Sequence, residues 1–464
     1  MRKLIFTFIL FAFLKSGFSQ ANNQWLAKSH RENRNGWIFV HLEGSPSEIG
    51  YQHGFLLASD IDTCIQALSY LLKYETKRDW VFYRKAARSF LWDKLDREYK
   101  DEINGIVKGL RAKNIYYDSL DLTAYNALEE LAYYYVPMLD NLALKGSGNN
   151  KAPGNCSAFI ATGSYTKDGK IVMAHNNWSS YMMGQHWNVI ADIVPAKGYH
   201  MLMDCMPGFI HSGDDFVISE SGILITETTI TQFNHFDSTG IPEFVRARKA
   251  AQYSNSIDDV VKIFISGNNG GYANDWLIGD TKTNEVAKLE LGLKDHRVWR
   301  SMDTAMIGSN FPSDPVLIKE ETTFNTMDST SSPNARKKRM SQLVQVDMKG
   351  KLDVETGMKI EADHFDADGK SVNNRCVICG HVDEDAKGCA EWTLAPFYPM
   401  GAVQGKVTSS DLARKMQFWA HMGHPCGEDF IGDKFYKLHP EYVWQNKYLK
   451  NMLAYPWTLF SGTK

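Results

Sequence analysis

The chain lacks the marks of several large protein classes. Its 51 lysines and arginines are outnumbered by 54 aspartates and glutamates, for a net charge of −3. With no long basic run either, nucleic acid is excluded as the main partner. After residue 19 no stretch is long and apolar enough to span a bilayer as a helix. There is no G-x-S-x-G elbow, P-loop, dinucleotide-binding fingerprint or papain-type cysteine signature. Internal repeats and low-complexity tracts are also missing. Cysteine is sparse, and its count, seven, is odd.

What is present fits a globular protein. An apolar content of 44% and an aromatic content of 12% are enough for a core, and 464 residues allow two domains or one large domain with an appendage. Residues 1–19 read as a secretory leader: Arg2 and Lys3, an apolar stretch from Leu4 to Leu14, then small residues at Gly17 and Ser19. Cleavage is expected near Gln20, with no cysteine there to carry a lipid. The mature protein is expected to be soluble, with no transmembrane segment, and either secreted or periplasmic.

An exported protein can oxidise its thiols, so an odd cysteine calls for a reason. The stretch 154–178, GNCSAFIATGSYTKDGKIVMAHNNW, offers one. A loop rich in Gly, Asn, Lys and Pro runs up to Asn155. Cys156 then opens an apolar strand, Asp168-Gly169 signals a hairpin, and the return strand ends in His175-Asn176-Asn177. If the Asn155–Cys156 bond breaks, the Cys156 thiol becomes a nucleophile at a new N-terminus, and its own α-amine, with a reference pKa of about 8, becomes a base. Cys64, Cys205, Cys376, Cys379, Cys389 and Cys426 are then free to pair as disulfides. The plain alternative for Cys156 is a half-buried structural cysteine or a disulfide partner.

The rest of the chain sorts by period. A strand is expected at 36–42, followed by a helix with Ser45 as cap, Pro46 in its first turn and Glu48 closing a capping box. Gly50 and Gly54 lie on one face of that helix and weaken it, which close packing against another element would explain. Helical periodicity covers 64–74, 80–95, 99–113 and 120–135. From Cys156 onward strands are expected at 187–194, 200–203, 215–219 and 222–229, then helices at 242–253 and 257–265, then a hairpin at 274–280 and 284–291. Strands, helices and strands again predict an α+β sandwich of sheets covered by helices. Residues 313–375 read as long polar connections and 409–421 as a helix.

Three strand ends are polar: His175-Asn176-Asn177, Glu227-Thr228-Thr229 and Asn274-Asp275. Asparagine amides suit a developing oxyanion, although each residue taken singly also reads as a turn or strand-end group. Arg246 and Arg248 can hold a carboxylate or steady a catalytic Glu, a solvated helix face being the plain alternative. Cys376-x-x-Cys379-x-His381 resembles half of a zinc site, but no second matched pair follows. In an exported chain disulfides are favoured there, so neither a metal nor a cofactor is expected.

Together these segments resemble the phospholipase B-like family and the neighbouring acyltransferases of the isopenicillin N type, all N-terminal-nucleophile (Ntn) hydrolases. The likeness is carried by NCSAFIA, MAHNNWSSYMM, DDFVISESGILITETTI, PEFVRARKA and SGNNGGYANDWLIGD, in order over residues 154–280. Glu48, Gly50 and Gly54 precede them and GAVQGKVTSSDLA follows. The resemblance implies a four-layer αββα sandwich with an N-terminal helical lobe. It implies self-cleavage at Asn155/Cys156, leaving 20–155 and 156–464 as two associated chains. Cys156 becomes the nucleophile, His175 a site residue and Asn274 a group near the oxyanion, with Glu227, Thr228 and Arg246 as further members. Asp275 departs from the glutamine-like residue of that pattern. The implied reaction is acyl transfer through a cysteine thioester, on an amide or ester of an acylated small molecule or lipid, with water or an amine as acceptor. Two other readings stay open: a non-catalytic secreted binding protein on the same fold, and a metal-dependent hydrolase centred on Cys376, Cys379 and His381.

Overall fold

The computed structural model describes residues 23–143, 156–213, 216–366 and 370–463. The expected leader, the loop 144–155 and hence Asn155 lie outside them. Two large sheets carry the molecule. The nine-stranded sheet runs in the order β1 (His30–Arg34), β2 (Trp37–Gly44), β5 (Val189–Pro195), β6 (Met201–Cys205), β7 (Val217–Ser219), β8 (Ile223–Thr229), β9 (Asn274–Asp280), β10 (Glu285–Leu291), β11 (His296–Ser301). The six-stranded sheet runs β12 (Thr304–Gly308), β3 (Cys156–Thr162), β4 (Val172–Ser180), β13 (Met400–Ser409), β14 (Gln417–Met422), β17 (Thr458–Ser461). A ribbon of β15 (Phe430–Ile431) and β16 (Asn451–Met452) stands apart. Among the described residues of these sheets only β2 and β5 pair in parallel.

Side-chain alternation stacks these sheets face to face. Ala158 and Ile160 of β3 meet Ile190, Leu202, Leu224 and Leu277 of the larger sheet. Phe159 and Ala161 point the other way, onto Met340, Leu343, Val344 and Ile360 of helical segments. On the outer face of the larger sheet, Ile38, Val40 and Leu42 of β2 meet the N-terminal helices, and Ile225, Trp276 and Ile278 meet Val260 and Phe264. Strands buried on both faces need cover on both, and the result is the expected α+β arrangement of helix, sheet, sheet, helix.

Several local expectations change. The N-terminal segment is not purely helical: β1 and β2 belong to the nine-stranded sheet, with β2 between β1 and β5. Gly169 takes φ +78° in a turn, yet β3 and β4 are joined by a longer connection that includes a single-turn helix, Gly163–Tyr165. Residues 313–375 contain the helices Pro315–Glu321, Ser332–Met340 and Val354–Glu361. The helix expected at 409–421 stops at Ala413 and gives way to β14. No disulfide joins the seven cysteines among the described residues, so the expected disulfides are not formed in this structure.

The glycines of helix Pro46–Leu56 have the reason the sequence asked for. Glu48 accepts from the Ser45 N–H at 2.9 Å and its hydroxyl at 2.7 Å, fixing the helix start. The helix then lies directly against Arg97–Ala112, where a Cβ on Gly50 would fall 1.9 Å from the Glu102 carbonyl oxygen and one on Gly54 2.1 Å from that of Ile106. Gly105 and Gly109 return the same bare surface. Because backbone rather than a flexible side chain would have to give way, Gly54→Ala should lower unfolding stability by about 1–3 kcal/mol. The urea midpoint of the variant beside the natural chain measures this.

Candidate active site

Cys156 is the first residue of β3 and pairs in register with Asn177 of β4. Its thiol is buried, with Sγ 3.8 Å from Glu227 Oε1 and 3.9 Å from Asn177 Oδ1. A ring nitrogen of His175, the Cys156 sulfur and a Glu227 oxygen all lie within 4.8 Å of one another. Three segments far apart in sequence thus converge, one from each of β3, β4 and β8.

Glu227 is held in place. Its Oε1 accepts from the Tyr272 hydroxyl at 3.0 Å. Oriented to match its neighbours, the Asn274 amide nitrogen donates to Glu227 Oε2 at 2.8 Å and to the Ala273 carbonyl at 3.0 Å. Both N–H groups of Asn274 are thereby used, so it steadies the carboxylate rather than facing an oxyanion. Tyr272 reaches Glu227 from φ +56°, a left-handed backbone that costs a bulky residue about 1–3 kcal/mol. The donor left open is elsewhere: Asn177 Nδ2 is buried and has no hydrogen-bond partner among the described residues.

Arg336, from the segment that reads as a polar connection, organises the backbone of Cys156. Its guanidinium donates to the Cys156 carbonyl at 2.6 Å, Ser157 Oγ at 2.9 Å, Asn310 Oδ1 at 2.6 Å and Ser332 Oγ at 2.9 Å. Its cation sits 4.6 Å from the centre of the Trp178 ring. Burial draws its pKa down to about 10, which still leaves it charged at neutral pH. Asn310 Oδ1 also accepts from the Cys156 N–H at 3.2 Å, while its Nδ2 donates to the Thr229 carbonyl at 2.8 Å. A donor-only arginine on one side and an acceptor-only carbonyl on the other fix which way this amide points.

The other expected site residues sit further out. Thr228 packs its hydroxyl on Gly308 of β12, where an added Cβ would lie 2.4 Å away. Arg246 is buried rather than solvated and donates to the carbonyls of Ile241 and Phe264 and to Asn269 Oδ1, at 3.1, 2.6 and 3.2 Å. Asn269 opens the turn that carries Tyr272, so Arg246 stands behind the site. Arg248 is buried too, in a two-pronged pair with Glu102. Asp275 is paired with Lys288 at 2.7 Å. Arg336 and Asn310 do not stand out in the sequence, and Asn177 does so only as part of a polar cluster. An Asn directly in line with the candidate nucleophile on the paired strand was the available signal.

The chain resembles known proteins over part of its length. A family model described as phospholipase B matches residues 63–330, more than half of the chain. An uncharacterized protein of Archaeoglobus fulgidus is 24% identical over 262 residues, covering 54% of this chain and 42% of that protein. Phospholipase B-like 1 of Homo sapiens is 29% identical over 138 residues, covering 28% of this chain and 25% of that protein. The chain thus spans less than half the length of either relative. A crystal structure of a mutant conjugated bile acid hydrolase from Clostridium perfringens aligns at 10% identity and a TM-score of 0.31, over 57% of this chain and 89% of that one. So slight a likeness carries no argument.

His175 makes the site sensitive to acid. Burial, with the Lys406 charge adding to it, holds the ring well below its usual 6.5. The unfolded chain binds the proton at about 6.5. The folded state is therefore favoured in full above pH 6.5 and loses ground as pH falls below it, by up to about 1.4 kcal/mol per pH unit. Ring nitrogen shifts should show a neutral imidazole at pH 5, and the acid-side fall of the urea midpoint should be shallower in His175→Gln.

Proposed function

The chain belongs to the phospholipase B family, and from that premise we propose that it is a hydrolase with Cys156 as N-terminal nucleophile. The observation that carries the reading is the buried thiol at the start of β3, with Glu227 3.8 Å from its sulfur and the unused Asn177 amide donor beside it.

In the precursor, Glu227 takes the thiol proton and Sγ attacks the Asn155 carbonyl carbon. The peptide C–N bond breaks, the departing Cys156 nitrogen receives the proton, and water then cleaves the resulting thioester. Hydrolysis releases the Asn155 carboxylate and frees the Cys156 thiol, and the α-amine already released by the C–N cleavage becomes the base for turnover. Asn310 Oδ1 suits that role. It accepts one N–H at 3.2 Å and, as an acceptor, leaves the amine lone pair for the thiol proton.

In turnover the thiolate attacks the acyl carbon of an amide or ester, and the Asn177 N–H faces the oxyanion. The ammonium returns its proton to the leaving group, and water releases the acyl group from the thioester. A cavity of about 590 Å³ beside the end of β4, lined by Ser179, Met183, Trp392, Leu394, Tyr133 and Tyr442, suits an apolar acyl chain. After cleavage the two pieces stay joined, because β2 of the first pairs with β5 of the second along Ile38–Gly44. Export from the cell belongs to the same reading and rests on the leader expected at residues 1–19.

The test is release of fatty acid from a panel of N-acyl amino acids and lysophospholipids, followed by mass spectrometry. Cys156→Ala should be inactive. Asn177→Ala should lower kcat by about 10²–10³ with little change in KM. Turnover that survives Cys156→Ala would sink the reading.

A further inference from the structure

A second cluster of chemically active side chains lies outside residues 63–330, the span of the family match. One donor atom from each of His364, Cys379, His381 and Cys426 falls within 4.8 Å of the other three. We propose that these four residues bind one zinc ion in a closed, tetrahedral structural site.

The donor set is the first argument. Two thiols and two imidazoles suit zinc over magnesium or calcium, and four protein ligands leave no open position for catalysis. At Zn–S near 2.3 Å and Zn–N near 2.0 Å, a tetrahedron has edges of roughly 3.3–3.8 Å. Cys426 Sγ and His381 Nε2 are 3.7 Å apart, already an edge of that size. The whole cluster need contract by only about 1 Å to close around the ion.

The surroundings are the second. With His381 Nε2 turned to Cys426, its Nδ1 faces Asp383 Oδ1 at 3.9 Å, which in turn accepts from the Tyr181 hydroxyl at 2.5 Å. A carboxylate behind a histidine is the usual outer support of a metal-bound imidazole. His364 Nε2 is buried with no hydrogen-bond partner among the described residues, an unmet need that a ligand would satisfy. The Cys379 N–H donates to the Asp363 carbonyl at 3.0 Å, which ties the segments bearing Cys379 and His364 together. Gly380 lies flat on Trp178, where a Cβ would fall 1.9 Å from the ring, so the Cys-x-His step is seated before any ion arrives. His364 and Cys426 are only half-buried, leaving a way in.

This ligand set differs from the one the sequence suggested. Cys376 is not part of it; its Sγ turns to the Thr330 carbonyl at 3.8 Å. His364 and Cys426 take the places left unmatched. The ion would pin His364, residues 379–381 and the turn at 424–427 across β13, over the tryptophan ring on which Arg336 rests.

The test uses the full chain, purified without a metal-affinity tag, and is independent of any acyl substrate. Elemental analysis should find about one zinc per chain. Exchange for cobalt should give thiolate charge-transfer absorption and tetrahedral d–d bands. Cys426→Ser and His364→Ala should each lose most of the metal, while Cys376→Ser keeps it. A chelator should lower the Tm of the natural chain and not of Cys426→Ser. Absence of zinc, with Cys379 and Cys426 joined in a disulfide on peptide mapping, would overturn the proposal. So would zinc retained in full by both ligand variants. The first two measurements need no variant and hold even if a substitution prevents folding.

Discussion

Burying the Arg336 guanidinium takes a charge out of water, which costs several kcal/mol unless its N–H groups find acceptors in good geometry. Here they find four oxygens, on Cys156, Ser157, Asn310 and Ser332, and the flat cation has the Trp178 ring against it. Those acceptors come from the start of β3, the loop just past β12 and the helix Ser332–Met340 itself. The arginine is satisfied only when all three are in place, so the position of Cys156 is coupled to the packing of the outer helical layer. A thiol at a strand end would otherwise sit where strands fray; this one is held through its own carbonyl and its own nitrogen.

A second buried charge serves the gap between the sheets. Lys406 of β13 meets Asp204 of β6 at 2.8 Å, both side chains fully buried, and Gln404 donates to the same carboxylate at 3.1 Å. This link crosses from the six-stranded to the nine-stranded sheet. Lys406 also pairs in register with His175, and its charge is one reason that ring stays neutral beside the thiol. The polar groups that crowd the strand ends are thus of two kinds. Some fasten the sheets and others surround the sulfur, and sequence alone does not sort them.

Much of the fold was legible because its signals are local. The strands β8 and β9 and the helices Glu243–Tyr253 and Ile257–Ile265 fall where period and caps place them, and Ser256 accepts from the Asp259 N–H at 3.1 Å as its position suggests. The glycine pair at 50 and 54 announced a close helix contact without naming the partner. Where periodicity was short it misled: Gln417–Met422 is a strand, because six residues with apolar groups at Phe418, Trp419, Ala420 and Met422 are too few to separate the two periods. Arg336 was hidden by its neighbours Lys337, Lys338 and Arg339, which make the segment read as a polar surface connection although Arg336 points inward. His364 and Cys426 gave no sign of a shared site, since the chain brings them together only through the folding of β13 and the segments beside it. The polar strand ends were seen as three clusters. Which side chain touches the sulfur depended on register, which put Asn177 opposite Cys156 and turned Asn274 to Glu227.

The proposed chemistry requires Cys156 to become a free N-terminus. Intact mass under denaturing conditions, on the purified protein beside Cys156→Ala, tests it most directly. Two chains are expected for the natural protein, meeting between Asn155 and Cys156 with the second beginning Cys-Ser-Ala-Phe, and one uncut chain for the variant. A natural protein that stays whole after long incubation at neutral pH, or a variant that is cut at the same bond, would contradict it.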